Sequence, residues 1–162
     1  MDDVRVRIAE RDDALALGAL QLRWDLERGG VPQGDFISRY ADAWLTDCHS
    51  RPAWVATTVD GNPIGFVVGA HVEKLPSLFR PRNGWLHLSA VYVDVLRRRQ
   101  GVGEQLLRAV LGWCWEHDIT RIQLNADDAA RGLYERIGFT RPSDRLMELN
   151  LAMAQQPPLK LF

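Results

Sequence analysis

A mixed α/β fold on a single domain is predicted for this 162-residue chain by three features. Strand-like alternating segments interleave with helix-like periodic ones, Asp60-Gly61-Asn62-Pro63 carries a hairpin signal, and one strand runs through a glycine-containing turn straight into a strongly amphipathic helix. The order is strand, two helices, three strands, helix, strand, helix, strand. It sets a parallel pair of strands around the central helix, the arrangement in which ligand sites form.

Val4 to Ala9 alternates apolar and charged residues as a short strand does. Asp12-Asp13 then caps Ala14 to Arg28, where Leu17, Leu20 and Trp24 recur with helical period until Gly29-Gly30 stops it. Asp35 to Cys48 is a second helix, with Phe36, Tyr40, Trp44 and Leu45 on one side. Trp54 to Val59 and Ile64 to Val72 are the strands of the hairpin. Pro76 to Gly84, with two prolines, two arginines and a glycine, is a long loop before the strand Trp85 to Val93. Gly101 to His117 is the central helix, burying Leu106, Leu107, Val110, Leu111 and Cys114. Arg121 to Ala126 is a strand, Asp128 to Ile137 a short helix and Arg145 to Leu151 a final strand. No linker or repeat divides the chain, so 1–154 forms one domain and 155–162, with Pro157-Pro158, a frayed tail.

Hydrophobic residues make up 46% of the chain and charged ones 25%, enough to bury one sizeable core. Twenty Lys and Arg against 21 Asp and Glu leave a formal charge of -1. That balance provides no field for nucleic acid or an anionic membrane, so neither is an expected partner and any anion site must be local. The charged start and the lack of an apolar run of about 18 to 20 residues point to the cytoplasm. Cys48 and Cys114 lack metal-ligand spacing and are expected to be buried thiols, and no metal is expected. Trp113 and Trp115 are expected to pack.

After the strand ending Val91-Tyr92-Val93 comes Asp94-Val95-Leu96-Arg97-Arg98-Arg99-Gln100-Gly101-Val102-Gly103, which opens into the central helix. Glycines let a ligand approach the backbone, and the unpaired amides of a first helical turn are oriented donors for an anion. A tight turn flanked by solvated arginines would carry the same Gly-x-Gly. It is neither a Walker motif nor a dinucleotide fingerprint, which sets ATP and NAD aside.

Arg98-Arg99-Gln100-Gly101-Val102-Gly103 resembles the Arg/Gln-x-x-Gly-x-Gly/Ala signature of the GNAT superfamily of N-acetyltransferases, with that family's Val-Asp pair at Val93-Asp94. Ala130-Arg131-Gly132-Leu133-Tyr134-Glu135-Arg136-Ile137-Gly138-Phe139 is similar to its second signature, Ala-x-x-Leu-Tyr-Glu-x-x-Gly-Phe. The resemblance is strong from Trp85 to Phe139 and topological before it. Val95 stands where the family commonly has proline. The resemblance implies a mixed central sheet of about six or seven strands with helices on both faces, its splayed parallel strands forming a cleft for acetyl-CoA. It implies that Val91, Tyr92 and Val93 border pantetheine, that Arg98, Arg99, Gln100, Gly101, Val102, Gly103 and Glu104 wrap the pyrophosphate, and that Asn125 binds the pantetheine amide or the substrate. An amine would attack the thioester directly through a tetrahedral intermediate stabilised by a backbone N–H near Val93.

An alkyl amine with a pKa of about 10 is almost fully protonated at neutral pH, so a base is useful. A strand period of two sets His87, Ser89 and Val91 on one face, where His87 could take a proton and Ser89 hold a relay water. In the resemblance, position 87 is that of a glutamate base in histone-type members and of the first histidine of a His-x-His pair in arylalkylamine acetyltransferases. His87 as a plain polar residue at a sheet end remains open, with Glu73 and Asp94 as reserve bases and Asp94 better suited to the turn. Tyr134 matches the family's acid for the departing thiolate; without the signature it would be a half-buried helical aromatic.

The acceptor is a small-molecule amine or, as the lesser expectation, a peptide N-terminus. Trp24, Glu27, Asp35, Phe36, Tyr40 and the Pro76 to Gly84 loop would wall its pocket, an aromatic and acidic lining that suits a cation; the same residues also suit an amphipathic core face. Self-association as a homodimer is allowed. A silent acyl-CoA sensor or interaction module with the same fold is the alternative.

Overall fold

The computed structural model describes residues 3–81 and 83–150. They form β1 (Arg5–Ile8), α1 (Ala14–Glu27), α2 (Phe36–Thr46), β2 (Ala53–Thr57), β3 (Pro63–Lys74), β4 (Asn83–Val93), α3 (Val102–Glu116), β5 (Ile122–Leu124) and α4 (Arg131–Ile137). Each lies where periodicity sets it, with ends shifted by a few residues. The β2–β3 hairpin turns at Gly61, whose φ of +85° requires glycine. Thr58 closes that turn by accepting the Gly61 amide at 2.9 Å and donating its own amide to the Asn62 carbonyl at 2.9 Å.

The sheet order is β1-β2-β3-β4-β5. The first three pairings are antiparallel and β4–β5 is parallel, which makes the sheet mixed. Five strands form among the described residues, not the six or seven expected. The missing one is the final strand: Arg145 to Asn150 follows a turn at Asp144-Arg145 and has no ladder. Its pattern is strand-like, but Leu146, Met147 and Leu149 are exposed, and a strand without a neighbour gains neither ladder bonds nor burial. Leu151 and the 155–162 tail lie outside the described residues.

Each face of the sheet has its own core. Leu106, Leu107, Val110 and Cys114 of α3 pack on Trp54, Val67, Leu86 and Leu88, with Tyr134 of α4 in the same cluster. On the other face, Leu17 and Leu20 of α1 and Trp44 of α2 cover Val55, Phe66, Ala90 and Tyr92. Helices therefore do lie on both faces. Three expected packing roles are corrected, the first that of Leu111, which is half-buried and outside the α3 core cluster. Trp115 is 81% exposed, because it follows the buried Cys114 by one position and so leaves the stripe, while Trp113 meets Trp54 edge-on at 5.6 Å. Cys48 is only half-buried, since it falls just beyond the last turn of α2. No helix of the described residues is long and apolar enough to cross a membrane.

Leu106 is fully buried between α3 and the sheet. Leu106→Ala is expected to lower the unfolding free energy by about 2–5 kcal/mol in chemical denaturation, whereas Trp115→Ala should change it by less than about 0.5 kcal/mol. Equal effects would contradict the stripe described here.

Candidate functional site

The parallel ladder is short. β4 meets β5 only at Leu86↔Ile122, His87↔Gln123 and Leu88↔Leu124, then continues to Val93 with β3 alone beside it. Leu86 donates its amide to the Arg121 carbonyl at 3.0 Å, so that residue turns its backbone groups toward β5. Asp94 donates to the Ile64 carbonyl at 2.8 Å on the β3 side. By alternation, Val93 turns its N–H and C=O to the open side, as does Val91.

A β-bulge makes this possible. Val68 pairs with Ala90 and Gly69 with Leu88, which leaves Ser89 as the extra residue; its hydroxyl donates to the Val68 carbonyl at 3.2 Å. The inserted residue reverses the parity of everything beyond it. Leu86, Leu88, Val91 and Val93 thus pack toward α3, while Ala90 and Tyr92 pack toward α1 and α2. The expectation that His87, Ser89 and Val91 share one face is corrected: alternation sets His87 opposite Leu86 and Leu88, and Val91 lies on the other face because the bulge intervenes.

The strand ends in a tight corner. The Asp94 carboxylate accepts the Leu96 amide at 3.0 Å and Arg23 at 3.2 Å, the turn role suited to it. Val95–Arg97 makes one 3₁₀ turn. Arg99 follows with φ +62° and Gly101 with φ +82°, and a non-glycine residue held in that region is local strain. Gly101 is the N-cap of α3 with no side chain capping the helix, so the amides of Gly101, Val102, Gly103 and Glu104 have no intrahelical acceptor. A Cβ on Gly101 would meet nothing within 4 Å, whereas one on Gly103 would lie 3.0 Å from Leu133 Cδ2. The first glycine leaves an open mouth and the second seats α4 on α3. Gln100 donates to the Leu96 carbonyl at 3.1 Å, and Glu104 pairs with Arg108 at 2.7 Å.

Tyr134 is buried in the cluster that holds Val91, Val93 and Leu124, the residues on either side of the splay. Its ring meets Phe139 edge-on at 5.7 Å. Burial, with a smaller contribution from Asp127, pushes its phenol pKa upward, so it stays protonated at neutral pH. Asn125 follows β5 directly and is exposed; His87 is half-buried. Glu73 is 82% exposed beside His71, far out on the β3 end.

The expected acceptor-wall residues divide into two groups. Phe36 and Tyr40 contact one another at 6.2 Å on α2, and Phe36 lines a groove with Asp25, Arg28 and Arg39 at the end of α1. Burial pushes the Tyr40 phenol up to about 12. Trp24 and Glu27 instead face β4: Trp24 stacks on Tyr92 at 6.2 Å, and Glu27 accepts the Tyr92 hydroxyl at 2.6 Å. Glu27 also pairs with Arg98, whose Nε donates to the Val93 carbonyl at 2.9 Å. Sequence reasoning missed this link, because contacts 71 residues apart leave no local signal.

Among the described residues no group of three or more His, Cys, Asp or Glu could hold a metal ion. The family model described as Acetyltransferase (GNAT) family matches residues 17–139. The chain is similar to a predicted acetyltransferase with acetyl-CoA from Clostridium acetobutylicum, at 20% identity and a TM-score of 0.78 over 95% of this chain and 100% of that one. It is also similar to ribosomal-protein-alanine N-acetyltransferase from Brucella melitensis biovar Abortus, at 24% identity and a TM-score of 0.67 over 91% and 100% of the two chains. A third similar structure is AAC(6')-Iy in complex with the bisubstrate analog CoA-S-monomethyl-acetylneamine, at 16% identity and a TM-score of 0.70 over 91% and 98%. At these identities the likeness is one of fold.

Proposed function

The chain belongs to the GNAT acetyltransferase family, and from that premise we propose that it is an N-acetyltransferase acting on a primary amine of a small molecule. Acetyl-CoA, the acetyl donor of the family, supplies a thioester that the amine attacks. The observation that carries this reading is the continuity of the open β4 edge with the uncapped start of α3. The site fits such a donor: the edge has unpaired backbone groups, and the helix start has free amides beside a glycine with open space.

In this reading the amides of Gly101 to Glu104 hold the pyrophosphate, and Arg99 and Gln100 border it. Val91 hydrogen-bonds a pantetheine amide, with Asn125 across the splay. The Val93 N–H stabilises negative charge on the thioester oxygen. Tyr134 donates its phenol proton to the departing sulfur. His87, on the α1 and α2 face with Tyr92, takes the proton of the amine, with Ser89 beside it. Trp24, Phe36 and Tyr40 supply apolar wall, and Glu27 supplies negative charge near the α1 end. A reducing compartment, the cytoplasm, suits the two free cysteines.

The test is thiol release from acetyl-CoA over a panel of small primary amines, with an alanine-initiated peptide included. Turnover on a small amine is expected. Turnover on the peptide alone would replace the substrate class, and tight CoA binding with no turnover on any acceptor would make the protein a sensor.

A base must be neutral to act, so kcat/KM should rise with pH through one enzyme ionisation and His87→Ala should remove that rise. The acceptor's own ionisation gives a similar limb, so two amines of different pKa are needed. A limb that tracks the amine and persists in His87→Ala would leave His87 as a pocket residue. Because the Tyr134 phenol is raised by burial, its loss as an acid should appear only on the far alkaline side.

A further inference from the structure

Arg98 opens the signature of the cradle, yet its side chain is engaged elsewhere. Nε donates to the Val93 carbonyl at 2.9 Å, and Nη2 pairs with Glu27 Oε2. The other Glu27 oxygen accepts the Tyr92 hydroxyl at 2.6 Å. The guanidinium carbon stands 5.7 Å from the Tyr92 ring centroid. One helical turn earlier on α1, Arg23 pairs with Asp94 at 3.2 Å. Positions 23 and 27 of α1 therefore carry opposite charges one turn apart, and they meet opposite charges at Asp94 and Arg98, the two residues that bracket the Val95–Arg97 turn.

The peptide between Val93 and Asp94 is held at both ends. Its N–H donates to Ile64 of β3, and its C=O, on the open side of β4, accepts from Arg98. An unclaimed carbonyl there would compete for pantetheine and leave the last strand dihedral free. With both groups claimed, the Val93 amide keeps a fixed relation to the first turn of α3 across the corner.

We infer that Arg98 is a positioning residue that acts through the Val93 carbonyl and Glu27, aligning the amide edge of β4 with the acceptor-side helix α1, so that it serves acetyl transfer rather than cofactor affinity. This rests on the acetyltransferase reading above. The guanidinium suits the task because its planar fork serves a carbonyl and a carboxylate together, which an ammonium point charge does not.

The test uses Arg98→Gln, Arg98→Lys, Glu27→Gln and the Arg98→Gln/Glu27→Gln double variant in the full chain. Three readouts are taken: steady-state kinetics, calorimetric CoA affinity and hydrogen exchange of the Asp94 amide. Arg98→Gln is expected to lower kcat by about ten- to a hundredfold, the scale of a small misalignment, with CoA affinity within about twofold of wild type. Arg98→Lys should recover only part of the rate, and the double variant should be no slower than Arg98→Gln, since the two residues act as one unit. Asp94 exchange should quicken in Arg98→Gln at an unchanged global unfolding midpoint. CoA affinity lost tenfold or more with kcat kept would make Arg98 a phosphate ligand and overturn the inference. Unaltered Asp94 exchange would overturn it too. If the wild type turns over no acceptor, the function reading fails, and exchange together with CoA affinity still decides whether the corner is held as described.

Discussion

Replacing Gly101 with valine is expected to weaken CoA binding at least about a hundredfold, because two charge-assisted hydrogen bonds worth about 1.5–3 kcal/mol each are forfeited. Gly101 adopts φ +82°, which a β-branched residue resists at a cost of about 1–2 kcal/mol. The corner therefore relaxes away from the arrangement that exposes the helix-start amides. Its Cβ would project into space empty of protein within 4 Å, so no native contact is crushed, and a domain with about 5–15 kcal/mol of stability stays folded. Gly103→Ala makes the contrast. Its Cβ would come close to the end of Leu133 at 3.0 Å and meet Val93 Cγ2 at an ordinary 3.8 Å; the Leu133 side chain is flexible and can yield, so the loss of CoA affinity should be smaller. Calorimetry with CoA, beside circular dichroism, distinguishes the two. A folded Gly101→Val protein with wild-type affinity would take the pyrophosphate off this helix start.

Most of the fold was legible because its signals are local. The α3 stripe recurs at helical spacing, Asp60-Gly61 is a turn pair, and Gly-x-Gly after a strand marks a corner. The order of all nine helices and strands described follows from such cues. What was not legible depends on partners. Arg145 to Asn150 has a strand's alternation, but pairing is decided by a neighbouring edge that the segment itself does not encode. Ser89 gives no sign that it will be extra, since a bulge is a mismatch between two strands and is visible only once β3 and β4 are aligned. That single residue changes which side chains share a face, and so it separates His87 from Val91.

The same distinction runs through the site. The proposed donor half, from Val91 to Glu104 and Tyr134, is written in contiguous motifs because backbone amides and glycines would do its work. The proposed acceptor half draws on α1, α2 and β4, and the contacts seen there, Glu27 with Tyr92 and Arg98, join residues remote in the chain. Trp24 and Glu27 carry the aromatic and acidic character that suits a cationic amine. In the structure that character is partly spent within the protein, on Tyr92 and Arg98. On the proposed reading, the Glu27 charge that an acceptor would meet is therefore shared with Arg98.

Tyr134→Phe is expected to lower kcat by about 10² to 10⁴, the usual contribution of one acid, while acetyl-CoA affinity and fold are retained. The two side chains differ by one hydroxyl, and the ring that is buried in the α3 core cluster and meets Phe139 at 5.7 Å is kept. The burial that raises the phenol pKa also keeps it in the donor form at neutral pH, which the departing thiolate needs. Phenylalanine keeps the surrounding packing and removes only the hydroxyl that carries that proton. If product release limits the wild type, steady-state kcat would hide part of the loss, so single-turnover acetyl transfer is the measurement to make. Affinity should move little, because the amides of Gly101 to Glu104 are untouched. A Tyr134→Phe protein that transfers acetyl at the wild-type single-turnover rate would reduce Tyr134 to its contact with Phe139, and the thiolate would then leave with a proton drawn from solvent.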